Sequence, residues 1–323
     1  MMTILMRGAG LGALCAMLTA CGAASPQSDF AALPKGAPNA AAHAGKHLIY
    51  ISLQNAYTGY SQVNAYAAAG TKLKRVSTIT SGLALPEGIA TDGAGNLYVA
   101  NFGSNSVTVY PPGQTTPSVT YTQGVNLPKS VAVGSDGTLY VANQGGGSNS
   151  FGSVTEYSAG SVTPNVTITL PNQYAFALAL DSSNKLYVSW ITGSRYLDSI
   201  YEYPTEGSGK GSDLNLDLGT NSFPAEALTF DSHGNLIVPV NSFYGIDPKY
   251  LAVFPPGATK PKRKISYGQM ANVISGLAFA PGSPRELYLV SESYQNLLQL
   301  SYPKGLPRNN YPLNEPWGIA FSP

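Results

Sequence analysis

Leu85-Pro86-Glu87-Gly88-Ile89-Ala90-Thr91-Asp92-Gly93-Ala94-Gly95-Asn96-Leu97-Tyr98-Val99-Ala100-Asn101 reads as a short apolar strand, a glycine-rich polar turn and a second strand. Degenerate copies follow to the C-terminus, with second strands starting at Leu48, Leu97, Leu139, Leu186, Leu236 and Leu287. A repeat spaced some 40 to 50 residues apart is the mark of a solenoid, an array or a propeller. Eight residues before four of these strands stands an apolar residue of a first strand: Ile89, Val131, Leu178 and Leu228. In the last copy Leu277 stands ten before, because Pro281-Gly282-Ser283-Pro284 lengthens the turn. Asp92-Gly93, Asp136-Gly137 and Gly234-Asn235 mark hairpins between the two strands.

Two further alternating runs follow each copy. Val107–Tyr110 and Ser118–Tyr121 flank Pro111-Pro112-Gly113, and Leu251–Phe254 and Lys264–Tyr267 flank Pro255-Pro256-Gly257. Four antiparallel strands per copy make a propeller blade. The first copy lacks an inner strand before His47, while Glu315–Phe321 supplies one with nothing after it. The expected fold is therefore all-β, a six-bladed propeller over residues 46–323, closed by pairing of the C-terminal strand with the N-terminal blade. Closure leaves no free inner edge, and monomer is the expected state.

The motif Pro-x-Gly-Ile-Ala-x-Asp-x-x-Gly-Asn-Leu-Tyr-Val-Ala at 86–100 resembles the NHL repeat. The layout as a whole is similar to the six-bladed propellers of the NHL and SMP-30/gluconolactonase-like group. The match is clear over 86–113 and 128–157 and loose in the fourth to sixth copies. The resemblance implies the fold, but many unrelated functions share that fold. SMP-30-like lactonases bind a divalent cation through channel Glu, Asn and Asp. Glu87 or Glu226 would fill the glutamate role here, although no blade offers a matching channel Asp.

The N-terminus carries an address. Arg7 precedes an apolar stretch from Gly8 to Leu18, too short to span a bilayer. Leu18-Thr19-Ala20-Cys21-Gly22 resembles the bacterial lipobox, which implies a signal peptide over 1–20, cleavage before Cys21 and lipidation of that cysteine. Residues 21–45 read as a flexible tether. The expected location is the bacterial cell envelope, with acyl chains on Cys21 as the membrane partner.

Composition excludes several chemistries. The only other cysteine, Cys15, lies in the signal, so the mature body has no disulfide framework. His43 and His47 lie in or beside the tether and His233 in a lower turn, which argues against zinc and histidine bases. A formal net charge of +1 gives no global field toward nucleic acid. Gly207–Ser212 lacks the order of a phosphate loop and reads as a linker. Lys260–Lys264 is a basic run on an outer strand, where lysines discourage edge pairing.

Candidate site residues follow from the repeat register. One end of the ring, the upper face, receives the connections into each inner strand and the loops between second and third strands. Those loops hold Tyr57, Tyr60, Phe102, Phe151, Trp190, Tyr196, Phe243, Tyr244, Tyr250 and Tyr294 among Asn, Ser and Gly, with Asn101 and Asn143 at strand ends. Tyr with small polar residues is the mix of recognition loops, and packing within the loops is the alternative. At the channel mouth the register puts Glu87, Lys129, Phe176, Glu226, Ser275 and Trp317, with Glu87 opposite Glu226 and beside Lys129. Opposed carboxylates could work as acid and base or hold Ca²⁺. Alternatively, Glu87 and Lys129 are an exposed ion pair. The expected function is a lipid-anchored binding or scaffold protein recognising a glycan, peptide or envelope protein, with a hydrolase or lactonase as the alternative. No metal or cofactor beyond that cation is expected.

Overall fold

The computed structural model describes residues 47–69, 72–145, 151–170, 172–192, 198–204, 210–219, 222–223, 226–242, 249–267, 271 and 273–323. The strands in chain order are β1 (Leu48–Asn55), β2 (Tyr60–Ala69) and β3 (Lys72–Ile79), then β4 (Pro86–Thr91), β5 (Leu97–Asn101), β6 (Ser106–Tyr110) and β7 (Val119–Tyr121). They continue with β8 (Pro128–Val133), β9 (Leu139–Asn143), β10 (Ser153–Tyr157) and β11 (Val166–Thr169). Next come β12 (Gln173–Leu180), β13 (Leu186–Thr192), β14 (Asp198–Tyr203) and β15 (Ser212–Asp213). β16 (Ser222–Phe223), β17 (Thr229–Phe230), β18 (Leu236–Ser242), β19 (Tyr250–Phe254) and β20 (Arg263–Ser266) follow. The last are β21 (Ile274–Ala280), β22 (Ser283–Ser291), β23 (Asn296–Ser301), β24 (Leu306–Pro312) and β25 (Pro316–Phe321).

These make six antiparallel sheets, one per blade, and the fold is a six-bladed β-propeller. Blade 1 has the order β25-β1-β2-β3, so the end of the chain supplies the inner strand of the first blade. The register pairs Ile49 with Phe321, Tyr50 with Ala320 and Ile51 with Ile319. Side chains fasten the same seam: Leu48 N donates to Ser322 Oγ at 2.7 Å, and Asn55 Nδ2 to Glu315 Oε1 at 2.8 Å. In blade 5 the inner position is shared by two short pieces, β16 and β17, both paired to β18.

The core lies between blades. Alternating Leu, Val and Ile of the second and third strands meet the neighbouring sheet, so clusters such as Ile49, Ile51, Tyr288, Leu297 and Phe321 span two blades. Around the channel the inner strands approach closely because a small residue follows each mouth position: Gly88, Ser130, Ala177, Ala227, Gly276 and Gly318. A Cβ on Gly88 would stand 2.6 Å from Lys129 O, and one on Gly318 2.5 Å from Glu87 O. Backbone approaches of that kind admit only glycine.

The hairpin turns differ in detail from the sequence reading. They are three-residue loops rather than two-residue ones, each a turn followed by a left-handed residue. Asp92 N bonds Asn96 O and Gly95 N bonds Asp92 O, with Gly95 at φ +84°; residues 134–138, 181–185 and 231–235 repeat the pattern. In the sixth copy Pro281-Gly282 turns tightly, with Ala280 opposite Ser283, and the extra residues extend β22 instead of the turn. The repeated aspartate holds the loop. Asp231 accepts from His233 N and Asn235 N, both at 2.9 Å, and from Asn235 Nδ2 at 2.7 Å. It also accepts from Tyr302 Oη at 2.7 Å, which ties blade 5 to blade 6. Burial pushes the Asp231 carboxyl up, but these donors outweigh it and hold it below its usual value. Asp231→Ala leaves the buried Tyr302 hydroxyl and three turn donors without their acceptor. We expect a loss of about 2 to 4 kcal/mol at neutral pH, read as a lower urea midpoint; an unchanged midpoint refutes the role.

Candidate functional site

Glu87, Gly88, Lys129, Phe176, Glu226, Ser275 and Trp317 line one small recess at the upper end of the channel. The repeat register therefore brings all six expected mouth residues together. Glu87, Lys129, Ser275 and Trp317 are the second residues of their inner strands, Phe176 sits at the bulge inside β12, and Glu226 lies in the break between β16 and β17. Three of the connections that deliver them use a left-handed residue directly before proline: Leu85 (φ +48°), Leu127 (φ +47°) and Glu315 (φ +52°). Such non-glycine conformations persist only when the surroundings impose them. Leu85 N donates to Ser61 Oγ and Leu127 N to Asn105 Oδ1, so the upper end of the preceding blade clamps the connection.

Lys129 is the centre of the recess. Its Nζ lies 2.8 Å from Glu87 Oε2, with the two side chains 14% and 6% exposed. The exposed ion pair foreseen as one alternative is thus buried, because the ring narrows here. The ammonium also faces three aromatic rings, 4.9 Å from the centroid of Trp317, 5.2 Å from Phe102 and 5.4 Å from Phe176. That arrangement is an aromatic cage around a cation. Burial pulls the lysine down, but Glu87, Glu226 and Glu292 outweigh it and hold Lys129 above its usual value, so it is an ammonium at neutral pH.

The carboxylates compete for that one charge. Burial pushes Glu87 up to about 7 against the pull of Lys129. It pushes Glu226 up to about 7 as well, with Glu87 adding repulsion. Glu292 reaches about 7 from burial and from Glu226. Among the described residues no ion pair within 4.0 Å joins Lys129 to Glu226 or Glu292. Of the three, Glu87 has the nearest counter-charge, and burial holds every one of them near 7. Ser275 contributes a buried Oγ without a hydrogen-bond partner. An oxygen-liganded divalent cation does not fit this donor set. Lys129 already stands against Glu87, and among the described residues no three His, Cys, Asp or Glu side chains converge on one point.

Other expected contact residues lie elsewhere. Trp190 is fully buried and packs between blades 3 and 4. β13 continues two residues beyond Trp190, to Thr192, so the tryptophan is inside the strand and not in the loop after it. Asn101 and Asn143 are also fully buried. Asn101 Oδ1 accepts from Ala84 N and its Nδ2 donates to Thr108 Oγ1. Asn143 Oδ1 accepts from Asn126 N, while its Nδ2 donates to Gly124 O and Thr155 Oγ1. Both amides fasten the connection entering their own blade's inner strand, and both are fully buried beneath the face. Tyr250 is likewise buried and bonds Leu218 O. Tyr196, Phe243, Tyr244 and Cys21 lie outside the described residues.

The face asymmetry remains. Of the exposed large apolar side chains among the described residues, Tyr57 (97%), Tyr60 (36%), Phe151 (43%) and Tyr294 (46%) all stand on upper loops. Only Leu306 lies on a lower turn. Sequence reasoning did not single out Glu292, and it placed Phe102 in a loop without assigning it to the mouth. Both directly follow the last residue of a second strand, β22 and β5, which is the signal that would have found them.

No family model matches the chain, and no curated protein matches it. Solved structures do. A provisionally named 6-phosphogluconolactonase from Bacteroides fragilis superposes with a TM-score of 0.56 at 15% identity, covering 86% of this chain and 85% of that one. A protein of unknown function from Bacteroides caccae gives 0.59 at 11% identity, covering 86% and 98%. Kuenenia stuttgartiensis hydrazine synthase gives 0.56 at 13% identity, covering 80% and 84%. At such identities the likeness is one of propeller architecture, and it extends to proteins of unrelated chemistry.

Proposed function

We propose that this protein is a lipid-anchored binding protein of the bacterial envelope. Its upper face recognises a glycan, a peptide or another envelope protein, with the channel mouth as the anchor point. The observation that carries this reading is the composition of the mouth. A propeller needs only packing there, yet the repeat position holds three ionisable groups and two aromatics from five different blades. Replacing such a buried charge cluster by apolar side chains is often neutral or stabilising, so stability does not account for it. Perturbed carboxylates in a cleft mark candidate functional sites. Tyr57, Tyr60, Phe151 and Tyr294 surround the mouth with rigid amphipathic contact area. The Cys21 motif supports the anchor.

A second reading has one observation in its favour. Carboxyls that titrate near pH 7 suit a general acid or base, and two fold neighbours carry a lactonase name. The two readings separate in one set of assays. Tyr57→Ala with Tyr294→Ala, and separately Trp317→Ala, are expected to weaken binding across a glycan panel and solubilised envelope at least tenfold. Circular dichroism checks that each variant is folded. Unchanged binding removes the recognition reading. Hydrolysis of sugar lactones by the purified protein, lost in Glu226→Gln, replaces it with the enzymatic one.

A further inference from the structure

The formal net charge of +1 conceals a separation of charge around the ring. Residues 47–75 and 260–323 hold ten of the 18 Lys and Arg but three of the 17 Asp and Glu. Residues 76–259 hold five basic and thirteen acidic residues. The fold turns this division into a surface. Lys72, Lys74 and Arg75 lie on β3, the outermost strand of blade 1. Arg263 and Lys264 lie on β20, the outermost strand of blade 5, just after Lys262. Blade 6 stands between them and adds Lys304 and Arg308 at its rim. Every one of the ten basic side chains is exposed.

The three rims form one wall. Arg263 Nη1 donates to Pro303 O at 3.2 Å, joining blade 5 to the turn of blade 6. Leu73 of β3 packs in the same cluster as Tyr311 of β24, joining blade 6 to blade 1. Glu286 is held by Arg308 at 2.9 Å, and Asp217, whose N–H bonds Thr259 O, borders the wall at blade 5. Protection of sheet edges does not explain the pattern. All six blades have outer edges, yet β7 (Val-Thr-Tyr), β11 (Val-Thr-Ile-Thr) and β15 (Ser-Asp) contain no lysine or arginine. A device against edge pairing would be distributed over all six.

We propose that the outer wall of blades 5, 6 and 1 is a docking surface for an anionic lipid bilayer. The choice of a bilayer among polyanions rests on reading Cys21 as the lipidation site. Only 26 positions separate Cys21 from His47 in the sequence, so an anchor at Cys21 would tether the ring near the membrane. Within a Debye length of an anionic surface each Lys or Arg improves partitioning by about fivefold. The acidic arc of blades 2 to 4 is repelled at the same time, so the charge separation orients the ring on its side. That orientation leaves the upper face, which opens along the ring axis, unobstructed.

The test uses the full chain carrying Cys21→Ser, so that acylation plays no part. Co-sedimentation is measured with vesicles of phosphatidylcholine alone and of phosphatidylcholine with about one-third phosphatidylglycerol. The comparison variant adds K72Q, K74Q, K262Q, R263Q and K264Q, all exposed positions. We expect binding to the anionic vesicles only, falling with added salt, and weakened at least tenfold in the five-site variant. Equal binding to both vesicles, equal binding by both proteins, or binding of a sulfated polysaccharide without binding of anionic vesicles overturns the proposal. Mass spectrometry of the native chain for acyl groups on Cys21 decides the anchor separately, so either reading can fail without the other.

Discussion

A chain ending at Asn314 is expected to lose the ring altogether. Residues 315–323 supply the whole inner strand of blade 1, and nothing else can take that place. Their removal strips β1 of its inner partner and opens Ile49, Ile51 and Leu53, each at most 2% exposed, to solvent. It also removes the burial of Ile319, Ala320 and Phe321 and the edge-to-face contact of Phe321 with Tyr288 at 5.2 Å. Blade 2 is affected too, because Thr91 Oγ1 donates to Phe321 O at 2.6 Å. Ser52 loses Gly318 N as its donor, leaving its bond to Glu87 O at the rim of the mouth. Two or three large apolar side chains at about 2 kcal/mol each, with several hydrogen bonds at about 1 kcal/mol, amount to most of an ordinary domain's stability. The exposed apolar edge of β1 would also pair with other chains. Size-exclusion chromatography and circular dichroism should therefore find aggregate or a non-cooperative state. A monomeric truncated chain that unfolds cooperatively within about 2 kcal/mol of the full chain contradicts this account of closure.

Where the sequence succeeded and where it failed have the same physical root. The residue before each small-residue strand has a fixed place in a repeat, and the ring turns that place into a radius and a height. Glu87, Lys129, Phe176, Glu226, Ser275 and Trp317 could be gathered from six distant segments for that reason. No such rule governs the upper loops. Whether a residue after Leu-Tyr-Val is loop or strand depends on where β pairing stops, and β13 continues to Thr192 while β5 stops at Asn101. Trp190 follows the strand into the core. Asn101 and Asn143 look like recognition residues by composition, but the backbone donors and acceptors of the incoming connection use their amides first, as buried polar groups require. The burial of the Glu87–Lys129 pair depends on how near the neighbouring rings come, and repeat spacing contains no information on that.

Glu226→Gln is expected to make the protein more stable at pH 8, not less. The Glu226 carboxyl is raised in the folded ring to about 7 from 4.5. A raised folded value means that the native state binds the proton more tightly than the unfolded chain does. The associated stability is complete below about pH 4.5 and is lost as pH rises through 7. Some two and a half pH units at 1.36 kcal/mol each set a ceiling of about 3 kcal/mol for this one group. Glutamine keeps the shape and the hydrogen-bonding capacity without the charge. Its denaturation midpoint should exceed that of the unmodified chain at pH 8, match it near pH 5, and show a flatter pH profile between. A midpoint lowered at pH 8, or a profile with the same slope, would mean that Glu226 is already matched by a counter-charge. The sign also bears on function. A side chain that weakens the fold at neutral pH is retained for something other than the fold. A ligand bringing a cation or hydrogen-bond donors to Glu226 would relieve that penalty. Its thermal shift should therefore be large at pH 8 in the unmodified chain, small at pH 5, and small at both in Glu226→Gln.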